Sequence, residues 1–140
     1  MGKMKVGSKK LPMLTGVLVG VATCVITMIL GAALAAALIL NETVGQAATQ
    51  YMNVAIHVPA AAAGAVLSAT LVGHKKFLVC AMTTGGYLIV LLLMNAVCFG
   101  GVFQGVAAVV LAMSAGMGLA ILLLHRKKGG RKKYKAPTYR

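Results

Sequence analysis

Four apolar runs, at residues 13–40, 54–72, 77–99 and 102–124, alternate with short polar segments along this chain. A helix rises about 1.5 Å per residue, so roughly 20 apolar residues cross a hydrocarbon core of about 30 Å. Each run meets that requirement. The first, Met13 to Leu40, would reach about 42 Å as a helix, so it must tilt or let its outer turns emerge among the headgroups. The pattern predicts an all-α integral membrane four-helix bundle.

The polar segments differ in kind. A lead at residues 1–12 carries Lys3, Lys5, Lys9 and Lys10, and its Pro12 suits the first turn of the helix that follows. Residues 41–53 hold Glu42, the only acidic residue in the chain. Gly73-His74-Lys75-Lys76 forms a basic turn, Gly100-Gly101 breaks the third run, and residues 125–140 form a basic tail. All fourteen Lys and Arg residues fall in the lead, the basic turn and the tail, and none falls in the other two connections. Lys and Arg mark the cytoplasmic side of a membrane protein. With an even number of spans, this division places both termini in the cytoplasm of a multi-pass plasma-membrane protein.

The lead and first run are not expected to form a cleaved signal peptide, because the apolar run exceeds the roughly 7–15 residues of such a segment. Myristoylation at Gly2 is not expected either, since Val6 stands where that motif requires Ser or Thr.

Composition agrees with the class. Across 140 residues, 60% are hydrophobic and 11% charged, mean hydropathy is +0.92, and Trp is absent. A water-soluble domain of this size needs far more polar surface.

Lipid tails are as apolar as Leu, so close packing through small residues and a few hydrogen bonds must hold the helices together. Candidate packing positions are Gly16 and Gly20 in the first run, Gly64 within Ala60-x-x-x-Gly64-x-x-x-Ser68 in the second, and Gly101 and Gly105 opening the fourth. The second run also carries polar residues at three- and four-residue steps. Asn53, His57 and Ser68 share a face there and form a candidate intramembrane polar site, which serves either packing or a pathway. Pro59 removes a backbone donor in the same helix and predicts a kink. Glu42 is expected in the outer headgroup region as a helix end, and Asn95 as an interhelical or interfacial hydrogen-bonding residue.

Little else in the sequence carries chemistry. Cys24, Cys80 and Cys98 match no metal or redox spacing, and a thiol in lipid behaves as a small apolar group. No nucleophile sits beside a base, no second carboxylate exists, and no phosphate-cradling loop is present. An enzyme, a cofactor site and a metal site are therefore not expected. In the tail, Arg126, Lys127, Lys128, Arg131, Lys132, Lys133 and Lys135 lie close to the last span and are expected to contact anionic lipid headgroups. Tyr134 and Tyr139 alone make no base-stacking platform, so specific nucleic-acid binding is not expected.

Leu14-Thr15-Gly16, an Ala- and Gly-rich second span ending at Gly73-His74-Lys75-Lys76, and Thr84-Gly85-Gly86-Tyr87 in the third resemble the DUF3792 family of small four-span membrane proteins of unknown function, found in Firmicutes. The resemblance covers residues 11–128 and implies a bacterial plasma membrane, with no activity or functional residues to carry over. The functional expectation is an accessory or interaction protein whose partners are membrane lipids and a second copy or another membrane protein. The alternative is a small oligomeric transporter or channel with an unidentified small-molecule substrate.

Overall fold

The computed structural model describes residues 11–101 and 105–129. The described residues form four helices, α1 (Met13–Leu40), α2 (Thr49–Val72), α3 (Lys76–Phe99) and α4 (Val106–Gly129), with a short 3₁₀ turn at Gln46–Ala48 before α2. All four helices are long and apolar enough to cross a membrane.

The helices do not match the apolar runs at every end. α2 starts at Thr49 rather than residue 54, so Gln50 and Asn53 are helical, and α4 starts at Val106 rather than residue 102. α4 also continues beyond residue 124 through His125 and Arg126 to Gly129. Hydropathy marks where side chains become polar, whereas backbone hydrogen bonding continues until a residue interrupts it. The interruptions here are Gly73 (φ 75°) and Lys75 (φ 45°) between α2 and α3, and Gly100, Gly101 and Gly105 (φ 64°, 80° and 82°) between α3 and α4. That left-handed geometry cannot continue a right-handed helix, and it favours glycine.

Helix α2 is the least apolar of the four and the most buried, with the other three packed around it. Its small side chains explain this position. Ala60, Ala61, Ala65, Ala69 and Ser68 are fully buried, and Gly64 is buried among them. Against α1 the crossing is antiparallel. Gly16 faces Val72, Gly20 faces Ser68 and Gly64, Cys24 faces Gly64, and Gly31 faces Ile56. A methyl group on Gly64 would collide with the Cys24 sulfur and the Gly20 carbonyl oxygen. Close approach of this kind maximises dispersion contact where the hydrophobic effect is weak.

Helix α4 packs on another face of α2 through Gly116, where an added Cβ would come within 2.6 Å of the Val58 carbonyl oxygen and 2.9 Å of Ala61 Cβ. Gly101 and Gly105 do not serve this purpose. They lie in the connection before α4, and a Cβ on Gly105 would meet nothing within 4 Å. The small-residue position of the fourth helix is Gly116, more than two turns inside it. At the far end of the bundle, the Leu11 amide donates to the Leu71 carbonyl at 3.3 Å and ties the start of α1 to the last turn of α2. Helix α2 itself runs unbroken through Pro59.

Candidate functional site

The three polar residues proposed on α2 separate into two places. His57 and Ser68 are eleven positions apart, about 16 Å along a helix axis. Each engages a different residue of α3.

Ser68 lies in a fully buried relay. Thr83 Oγ1 donates to Ser68 Oγ at 2.9 Å, and Ser68 Oγ donates to the Ala65 carbonyl at 3.0 Å. The Cys80 thiol approaches the same carbonyl at 3.6 Å. Every polar atom in the relay has a partner within the bundle, and Ser68 is fully buried. Its role is to join α2 to α3.

His57 is 6% exposed, and its Nδ1 lies 3.0 Å from the hydroxyl of fully buried Tyr87. The two rings stand 6.1 Å apart at 53°. Either partner can donate, depending on the imidazole tautomer. A phenol in an apolar span needs such a partner, because an unpaired hydroxyl there is costly. The pair therefore clamps α2 to α3 a second time, near the opposite end from the Ser68 relay.

His57 also borders open space. With Asn53 and Asn95 it lines a cavity of about 280 Å³, whose other walls include Met28, Leu88 and Val109. All four helices contribute to these walls. Asn53 is exposed, and it sits one turn nearer than His57 to the start of α2. The Asn95 Oδ1 is buried without a hydrogen-bond partner among the described residues, as is the Thr84 Oγ1. The interhelical bond expected of Asn95 is thus not made by that oxygen.

Toward the Gly73 end the cavity meets a layer of buried side chains drawn from every helix: Cys24, Ala60 and Ala61, Tyr87, and Met113. Beyond that layer, Val17, Val72 and Val79 form one apolar cluster, and Ala65, Ala69, Cys80, Ala120 and Leu124 form another. Among the described residues, no three His, Cys, Asp or Glu side chains come together in a metal-binding arrangement.

Sequence reading missed the α3 side of both clamps. Thr83 and Tyr87 stand four residues apart on one face of α3, whereas the groups they serve on α2, Ser68 and His57, are eleven positions apart. A tyrosine and a threonine inside an apolar span were the available signal. Glu42 is exposed just past the end of α1, the helix end expected of it. Its φ is 54° and its amide donates to the Ile39 carbonyl at 3.0 Å. Arg126 is exposed at the end of α4. The side chains of Lys127 and Lys128, and all of Arg131, Lys132, Lys133 and Lys135, lie outside the described residues.

No protein-family model, curated protein or solved structure matches this chain.

Proposed function

We propose that this protein is a non-enzymatic accessory or interaction component of a bacterial plasma membrane, with both termini cytoplasmic. The carrying observation is the buried layer of Cys24, Ala60, Ala61, Tyr87 and Met113, one or two side chains from each helix. A pathway needs polar groups in series from one end of the bundle to the other. Here the Ser68 and Thr83 hydroxyls are used up between helices, and the His57 cavity ends at an apolar layer. A chain so arranged supports a packing unit better than a conduit. The orientation rests on the location of all fourteen Lys and Arg residues in the lead, basic turn and tail. The basic tail contacts anionic lipid, and membership of the resembled four-span family belongs to the same proposal. Its protein partner is a second copy or another membrane protein seated on the extensive lipid-facing surface, where Leu14, Leu18, Ile26, Ile29, Leu30 and Leu34 of α1 are exposed.

A small oligomeric transporter or channel is the second reading, favoured by the cavity beside His57 and the unpartnered Asn95 oxygen. Reconstitution separates the two. Proteoliposomes loaded with a pH-sensitive dye should hold a proton gradient as well as protein-free vesicles do, and cross-linking in the native membrane should trap a stoichiometric partner. Robust flux that His57→Ala abolishes and Gly64→Leu leaves intact would establish the transporter instead.

A further inference from the structure

A second cavity, of about 420 Å³, lies at the other end of the bundle, between the α2–α3 turn and the last turns of α4. His74, Lys75, Lys76 and His125 supply its polar wall. Phe77, Ile121 and Leu124 supply an apolar one, with Phe77 67% exposed and Leu124 buried. Two cationic side chains and two imidazoles thus surround a space whose floor is hydrocarbon. The ends of two membrane-crossing helices, α3 and α4, frame it.

The imidazoles are oriented alike. His74 Nδ1 lies 3.1 Å from the Val72 carbonyl oxygen, and His125 Nδ1 lies 3.1 Å from that of Ile121. A carbonyl only accepts, so each Nδ1 carries the proton and each Nε2 is left for another partner. Neutral, that Nε2 is an acceptor. Protonated, it becomes a donor with a full charge behind it.

We propose that this pocket holds the phosphodiester headgroup of an anionic phospholipid, with the glycerol and first acyl carbons lying over Phe77, Ile121 and Leu124. Charge complementarity selects the anion. The only side-chain carboxylate of the chain, Glu42, lies past the far end of α1, 28 helical residues from the start of that helix, and cannot compete for Lys75 and Lys76. The apolar floor selects a lipid over a soluble phosphate, because a hydrated ion gains nothing from covering Phe77. A phosphodiester has no proton to give a neutral Nε2, so both histidines contribute only when charged. Among the described residues, the other charged groups at the pocket are Lys75 and Lys76 from the turn and α3, with Arg126 following His125 on α4. The adjoining turns of α1 and α2, at residues 11–16 and 70–72, carry no titratable side chain.

The test is native mass spectrometry of the full-length protein in neutral detergent, after incubation with phosphatidylglycerol or with phosphatidylcholine of the same acyl chains. Wild type should retain one phosphatidylglycerol under activation that strips phosphatidylcholine. Lys75→Gln/Lys76→Gln should lower that retention about tenfold or more. Lys76→Gln alone, which leaves the left-handed Lys75 in place, should act in the same direction. Thr43→Ala, exposed at the opposite end of the bundle, should keep the tightly held lipid. Undiminished retention in both turn variants, equal retention of the two lipids, or displacement of the lipid by inorganic phosphate would each overturn the proposal.

Discussion

Thr83 donates a 2.9 Å hydrogen bond to Ser68 at the point where Gly20 of a third helix meets them both. A Cβ on Gly20 would lie 2.7 Å from Ser68 Cβ and 2.8 Å from Thr83 Cγ2. Polar pairing and small-residue packing are therefore one device here. The glycine lets α1 close over the hydroxyl pair, and that closure keeps lipid away from it.

Substituting the glycines at this crossing should separate the helices. Gly64→Ala and Gly20→Ala each place a methyl group against backbone and side chains that have nowhere to move, at a cost of about 1–3 kcal/mol, and Gly64→Leu should cost more. Gly118→Ala, with nothing within 4 Å of the added carbon, should leave stability unchanged. Unfolding in mixed micelles, followed by circular dichroism, measures the difference. Equal stability of Gly64→Ala and Gly118→Ala would contradict the packing described.

The α2–α3 relay should show energetic coupling. A double-mutant cycle with Ser68→Ala and Thr83→Val should return about 0.6 kcal/mol and no more than about 1.7, the span of interhelical hydrogen bonds in lipid. A coupling near zero would mean that the bond is not maintained in the membrane.

His57 and Tyr87 offer a chemical readout. Tyr87→Phe removes the hydroxyl held at 3.0 Å and leaves the ring in place, so the imidazole should turn more readily toward the cavity. Modification of His57 by diethyl pyrocarbonate should then proceed several-fold faster than in the wild type. The exposed His74 and His125 should keep their rates and act as internal references. An unchanged His57 rate would show that the hydroxyl does not hold the ring.

Topology can be read from cysteines already present. Cys98 is exposed near the end of α3, whereas Cys24 and Cys80 are buried. A membrane-impermeant maleimide applied to intact cells should label Cys98 and spare the other two. Reporter fusions at Gly45 and Gly100 should read extracytoplasmic, and fusions at His74 and beyond Lys128 cytoplasmic, from the distribution of Lys and Arg. A cytoplasmic reading at Gly45 would reverse the orientation.

Four membrane-crossing helices were legible in the amino-acid order because lipid imposes a one-dimensional rule. Every backbone polar group must be satisfied within its own segment, so length and hydropathy decide which segments cross. Gly16 with Gly20, and Gly64 with Ala60 and Ser68, were legible as small-residue positions for a related reason: four-residue spacing puts each set on one stripe of its own helix. Which stripe faces which neighbour was not legible. Gly101 and Gly105 share the same spacing, yet they sit in a left-handed connection, while Gly116 takes the contact with α2. Nor could one helix face reveal that His57 pairs with Tyr87 thirty residues away, that Ser68 pairs with Thr83 instead of joining His57, or that Asn95 reaches the His57 cavity. Those outcomes depend on the rotation and depth of each helix against the others. In lipid these are set by short-range shape complementarity, a property of two surfaces brought together and of neither sequence segment alone.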